Sequence, residues 1–250
     1  MAALFLSVLV FSIQRSIKVQ WRNHGLDFVF SGLFLALHWS TYFYSLQVSN
    51  VSIAIIALFT YPIITTLIEP LFFRSRLQKV NLFTSALVTV GVIILVPEFS
   101  LENNYTLGLV IGLISALFYA LRNLVSKRLV TTNRGDSTLV VQLLFAAFFL
   151  SPSLLFYNFR IDINTIWLIL ALSLITTTLG HTLFLLALKR LTTSTASILA
   201  SLQPVYAIIL AVIFIDEKLE LNVIIGGVLI LMAVIIQNLW PNFKFNLLVK

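Results

Sequence analysis

The sequence predicts an all-α membrane protein of about nine transmembrane helices, and three observations carry that expectation. The first is composition: 60% of the 250 residues are hydrophobic and only 10% charged, with a mean hydropathy of +1.04. Soluble domains run at about 45–50% apolar and about 25% charged, so no water-facing surface could absorb this excess. The second is segment length. A hydrocarbon layer about 30 Å thick takes roughly 17–25 apolar residues per helix, and the chain divides into runs on that scale. The third is charge placement: 14 of the 16 lysines and arginines gather at one end of those runs.

Taken in order, the first run is 1–14, closed by Arg15, Lys18 and Arg22, and the second, 26–47, starts beyond those charges. Next come 51–73, closed by Arg74 and Arg76, and 80–97, entered after Lys79 and closed by Glu98. The run 106–130 carries Lys127 and Arg128 near its end; 137–157 starts after Arg134. Then 163–188 is closed by Lys189 and Arg190, 194–215 by Asp216 and Glu217, and 221–240 completes the set. Such short connections force neighbouring helices to run antiparallel. No run alternates at period two over about ten residues, which argues against a membrane β-barrel.

The charge asymmetry sets the orientation, because cytoplasmic loops collect Lys and Arg. The end without the basic clusters holds Arg160 and Lys218 among Glu98, Glu102, Asp162, Asp216, Glu217 and Glu220. The expected location is therefore the cell membrane, multi-pass, with the C-terminus cytoplasmic and Met1 outside. A net charge of +7 could point to nucleic acid, but these charges form short clusters at the ends of apolar runs, so no nucleic-acid partner is expected. No basic residue precedes the first apolar stretch, which argues against a cleaved signal peptide. With no cysteine there is no disulfide, thiolate metal site or thiol nucleophile.

A shift of 142 residues lays Pro62 on Pro204, Ala54 on Ala196, Leu46 on Leu188, Leu77 on Leu219 and Ile93–Ile94 on Ile235–Ile236. It divides the chain into repeats at 1–97 and 106–240, and only 106–130 lacks a counterpart. The expectation is two inverted five-helix repeats, the first missing its first helix, whose place would lie before Met1. Inverted repeats around a midplane site are a common transporter plan. A rival expectation is that the chain is N-terminally truncated and transport-inactive, since a lost helix would open one wall to lipid.

Ionisable and polar groups inside a span are costly and default to functional candidates. In 51–73, Tyr61, Pro62, Thr65, Thr66 and Glu69 share one helical face. Glu69 stands four residues from the end of its run, roughly 6 Å inside the boundary at about 1.5 Å per residue. It is read as a gating or coupling group, or as a structural acid pairing with Arg74 or Arg76. Pro62 and Pro204 each leave a carbonyl one turn back, on Leu58 and Ala200, without its helical donor. Such a group needs protein or a watery cavity, so both prolines are assigned to gating. In 26–47, His38, Trp39 and Tyr42 lie near mid-span, and His181 matches Trp39 under the repeat. Histidine can exchange protons near neutral pH, so protons are a candidate coupling ion.

In 106–130, Ser115, Tyr119, Arg122 and Ser126 form one stripe with Asn123 beside it. Arg122 sits at a depth similar to Glu69, so it is read either as pairing with Glu69 across the cavity mouth or as snorkelling to the headgroups; for the pair, the charge-swap double variant should partly restore what each neutralisation removes. Gln203 and Tyr206 are the polar candidates in 194–215. The expected substrate-binding set is thus His38, Trp39, Tyr42, Tyr61, Thr65, Tyr119, Asn123, His181, Gln203 and Tyr206. Neither intramembrane histidine has an acid one or two turns away, which argues against a metal. No catalytic motif occurs, so no enzymatic activity and no cofactor are expected. An intramembrane lipid-modifying enzyme would need a polar triad or metal cluster that is not seen.

The stretch from Leu202 to Ile236 resembles the last two helices of an EamA-type transporter of the drug/metabolite transporter superfamily. The features are Pro204, the turn "DEKL" at Asp216–Leu219, and Gly226–Gly227. The first repeat repeats this layout in Pro62, "FRSRL" at Phe73–Leu77 and Gly91, without an acid in the turn. The resemblance implies ten helices in two inverted repeats and a central cavity whose walls include 26–47, 51–73, 106–130, 163–188 and 194–215. It further implies a secondary transporter moving small metabolites, amino acids among them, by alternating access, with export as the direction.

Overall fold

Within hydrocarbon a backbone N–H or C=O has no water to bond, and a helix satisfies both inside one segment. The computed structural model describes residues 7, 18–49, 51–95, 105–155, 163–206, 209 and 221–248, and among these no strand occurs. The helices are α1 (Trp21–Val48), α2 (Val51–Leu58), α3 (Tyr61–Phe73), α4 (Lys79–Leu95), α5 (Tyr105–Thr132) and α6 (Gly135–Leu150). A 3₁₀ turn, Ser151–Leu155, follows α6. Then come α7 (Ile163–Ala171), a π-helical stretch (Leu172–Gly180), α8 (His181–Arg190), α9 (Thr193–Ala200) and α10 (Leu221–Leu248). Stretches long and apolar enough to cross a membrane are Ile53–Phe73, Thr106–Thr132, Gly135–Ser153 and Ile166–Arg190, with shorter apolar helices at Lys79–Ile94 and Ile224–Gln237. The expected run 1–14 lies outside the described residues apart from Ser7, as does most of 207–215.

The prolines do more than the expected kink. The helix of the third run stops at Leu58, turns through Phe59 and Thr60, and restarts at Tyr61 with Pro62 in its first turn. There the missing N–H costs nothing and the fixed φ suits the helix. In the eighth run the helix stops at Ala200, turns through Ser201 and Leu202, and resumes at 203–206. The two interruptions fall at the same places under the 142-residue shift, down to single bonds: Thr60 N–H donates to Ala57 O at 3.3 Å, and Leu202 N–H to Leu199 O at 3.3 Å. A third interruption of regular helix, the π stretch before His181, had no proline or periodic signal to announce it.

The chain packs as two compact units, one of residues 1–37 and 121–192, the other of 38–120 and 193–250. In the second unit α4 lies along α10, and α9 packs on α3, α4 and α10. Ile56, Phe59, Tyr61, Val88, Val92, Ala116, Ile198, Val205, Ile230 and Ala233 form its buried core. Glycine sets the closest approaches. A Cβ at Gly91 would stand 2.9 Å from Ile230 Cγ1 and 3.0 Å from Gly226 O, and one at Gly112 would stand 2.5 Å from Ala57 Cβ. Gly91→Val should therefore cost about 1–3 kcal/mol through overpacking, read as a lower unfolding temperature in detergent. An unchanged temperature would mean that α4 and α10 do not meet at this point. The α4–α10 contact also holds an amide network: Gln237 Nε2 donates to Asn81 Oδ1 and Thr195 Oγ1, each at 3.0 Å, and Thr84 Oγ1 donates to Gln237 Oε1 at 2.9 Å.

In the first unit α6 packs against α8, and the π stretch bridges α7 and α8. Gly32 of α1 faces Phe145 and the backbone at Gln142 so closely that no side chain could be added.

Candidate functional site

Two groups of buried polar residues stand out, one in each unit. In the second unit the polar positions of α1, α3, α5 and α9 converge. His38 Nδ1 lies 2.8 Å from Ser115 Oγ and 3.2 Å from Ser115 O, while Ser115 Oγ donates to His38 O at 2.9 Å. A carbonyl can only accept, and the serine proton is already used, so Nδ1 carries the imidazole hydrogen. The Nε2 edge then holds the lone pair of the neutral ring. The His38 ring stacks on Tyr119 at 4.6 Å between centroids, Tyr119 meets Tyr61 edge-on at 4.8 Å, and Tyr42 stands 6.1 Å from His38. Tyr61 donates its hydroxyl to Ser197 O at 3.1 Å, in the last turn of α9 before its interruption. The row of rings thus runs from the middle of α1 to the break in the eighth run, with Thr65 buried beside it and bonded to Tyr61 O at 2.7 Å.

Glu69 lies at the other end of α3. Its carboxylate accepts from Thr193 N–H at 2.5 Å and Ser194 N–H at 3.1 Å, and Ser194 Oγ also donates to it. These are the first N–H groups of α9, which no residue within that helix can satisfy, and the helix dipole favours an anion there. Glu69 is only 8% exposed. The expected pairing with Arg74 or Arg76 is not what occupies it: among the described residues its carboxylate is taken up by α9. Pro70 leaves α3 helical to Phe73, and Arg74 closes it in the left-handed region at φ 51°, its N–H bonded to Pro70 O.

In the first unit Arg122, Asn123, Ser126 and Gln142 are all fully buried. Arg122 Nη2 donates to Gln142 Oε1 at 2.9 Å and Nη1 to Asn123 Oδ1 at 3.1 Å. Gln142 Nε2 donates to Ser126 Oγ at 2.9 Å, and that hydroxyl donates to Arg122 O at 2.7 Å. Gln142 was not among the expected residues, although a single amide inside "LVVQLLF" was a visible signal. Snorkelling of Arg122 towards the headgroups, the bland alternative, does not fit a side chain with no exposed surface.

Of the remaining expected residues, Pro62 is buried, Trp39, Pro204 and His181 are half-buried, and Gln203 and Tyr206 are exposed. The second unit brings His38, Tyr42, Tyr61, Thr65 and Tyr119 together; the first holds Arg122, Asn123 and His181. Ser115, already on the stripe with Tyr119, completes these contacts together with Ser197, Thr193 and Ser194. As serines and threonines in helices they gave no distinct sign of whether they faced a partner or their own backbone.

The description "EamA-like transporter family" matches residues 1–96 and 106–239. An uncharacterized transporter of Archaeoglobus fulgidus is 29% identical over 205 residues, which cover 80% of this chain and 71% of that one. The uncharacterized transporter YxxF of Bacillus subtilis is 26% identical over 203 residues, 80% of this chain and 65% of that one. A third, from Clostridium kluyveri, is 25% identical over 186 residues and matched over 60% of its own length. A protein of known crystal structure superposes with a TM-score of 0.81 at 16% identity, over 96% of this chain and 84% of that one.

Proposed function

Because the chain belongs to the EamA-like transporter family, and so is a multi-pass membrane transporter and not an enzyme, we propose that it is a secondary transporter. It carries a small metabolite, an amino acid being the first class to try, out of the cell by alternating access. The observation that supports this most is the pair of matched interruptions at 59–60 and 201–202, beside the His38–Tyr119–Tyr61 row. Broken helices expose backbone dipoles at mid-span, and transporters use such ends to hold substrates and ions. Tyr61 joins the first interruption to the helix turn ahead of the second, so a ligand that displaces its hydroxyl from Ser197 O would loosen both. The clustered basic residues make their end cytoplasmic and put the C-terminus inside. The Glu69 clasp on α9 then closes the cytoplasmic side.

Purified protein in liposomes should pass members of a radiolabelled amino-acid and drug panel faster than empty vesicles. A panel with no flux above background would overturn the reading. Protons are the proposed coupling ion, with His38 as their carrier. On this view His38→Gln loses the pH dependence of flux, and flux falls by about a hundredfold, as for loss of a proton-transfer group. Retention of the wild-type pH profile in that variant would remove His38 from the coupling path.

A further inference from the structure

The first turns of α1 and the last turns of α5, both in the first unit, enclose a cleft of about 660 Å³ that the transport reading leaves unused. Its walls include Trp21, Arg22, His24, Leu26, Asp27 and Arg128. At His24 the backbone leaves the helical region (φ −133°, ψ 17°), so the first turn of α1 is set off from the rest of the helix. We infer that this cleft binds the headgroup of an anionic phospholipid.

Three features of the cleft specify that ligand. Arg22 and Arg128 provide two exposed guanidiniums, which suit a phosphate better than lysines do because their planar forks bond it bidentately. Asp27, the one carboxylate in the wall, is already engaged: His24 Nδ1 lies 3.1 Å and Arg128 Nη1 3.5 Å from its oxygens. The cleft therefore keeps a positive balance. The apolar side of the wall then separates a lipid from a free phosphate. Trp21 packs against Gly25, where an added Cβ would meet the indole at 3.4 Å, and stacks on Phe28 and Phe145 at 6.0 and 5.9 Å. It is nevertheless 49% exposed, and Leu26 beside it is 73% exposed. An indole at this depth is the usual mark of a membrane interface, and the two apolar groups offer a surface for the start of an acyl chain. This inference rests on the membrane orientation proposed above only in placing the cleft in the cytoplasmic leaflet, where anionic lipids face basic clusters.

The test is lipid retention, which needs no transport substrate. The intact chain in detergent, given mixed phosphatidylglycerol and phosphatidylcholine, should retain phosphatidylglycerol selectively by native mass spectrometry. Removing both guanidiniums, Arg22→Ala with Arg128→Ala, should cut that retention by roughly twenty-five-fold, about fivefold for each basic residue. The pair Arg74→Ala and Arg76→Ala, which removes the same charge elsewhere on the basic end, should leave it unchanged. Trp21→Ala should weaken retention while leaving the arginines in place. Equal loss in both arginine pairs would overturn the cleft as the site. Competition by inorganic phosphate as effective as that by phosphatidylglycerol would overturn the lipid assignment. A protein that fails to move any metabolite yet retains the lipid selectively would leave this inference standing.

Discussion

Replacing Glu69 with glutamine is expected to be among the most damaging single changes to this transporter. The substitution keeps the size of the side chain and turns one acceptor oxygen into a donor NH₂. That group would face the N–H groups of Thr193 and Ser194, which the carboxylate now receives at 2.5 and 3.1 Å. At least one buried donor loses its partner, which costs about 1–3 kcal/mol. The cost falls on one place, the start of α9, so the first consequence is local opening of that half-helix, ahead of global unfolding. The chain has no cysteine, so a single Ser197→Cys reports on α9 without background labelling. Ser197 is fully buried. Its cysteine should react with a membrane-impermeant maleimide from the basic side about tenfold faster when Glu69→Gln is added, which is what about 1.4 kcal/mol of released clasp corresponds to. Flux should fall in parallel, because a gate that no longer closes cannot alternate. Unchanged labelling together with unchanged flux would show that the carboxylate neither holds α9 nor takes part in the cycle.

The clasp also marks where sequence reading reached its limit. Glu69 was found by its rarity, since a carboxylate in an apolar run is visible without any structure. Its partners were not, because they are backbone N–H groups at the end of a helix 124 residues away, and every helix start in the chain offers the same groups. Span positions were partly legible: composition and length alone place both ends of α4 and α5 within two residues of those observed, whereas α1 starts five residues earlier and α6 ends seven residues earlier than its run. The repeat went further than its authorship by Pro62 and Pro204 suggested. A proline inside a helix predicts a lost bond, but whether the chain bends or breaks depends on what can cover the freed groups. Here Thr60 Oγ1 donates to Ala57 O at 2.6 Å and the Tyr61 hydroxyl reaches across to α9, contacts that exist only after packing. The π stretch before His181 was illegible for the opposite reason, as "LSLITTTLG" contains nothing that a regular helix would refuse outright. In sequence, the place matching Glu69 in the second repeat is Ala211, so the clasp belongs to one repeat alone. In the proposed alternating-access cycle, a carboxylate contact in one repeat alone would give the two end states different energies.

Gln142→Leu is expected to have the largest effect on stability, and its outcome separates structure from transport. Leucine fills nearly the same space but removes the acceptor that Arg122 Nη2 holds at 2.9 Å and the donor that Ser126 Oγ receives at 2.9 Å. All three side chains are fully buried. A hydrogen bond to a charged group contributes about 1.5–3 kcal/mol, and a buried charged donor left short costs more, so the variant should lose about 3 kcal/mol. The unfolding temperature in detergent reads this directly. Arg122→Met gives the contrasting case. It withdraws the charge along with its need for acceptors, and replacing a buried polar set by apolar groups of similar volume is often close to neutral. The double variant Arg122→Met with Gln142→Leu should therefore be more stable than Gln142→Leu alone, a positive coupling that only a buried contact between the two side chains produces. Additive losses would show that Gln142 supports the fold through some other group. Flux then divides the remaining possibilities. A double variant that is stable yet passes no substrate assigns the guanidinium to transport, whereas one that is stable and active confines Arg122 and Gln142 to holding α5 and α6 together.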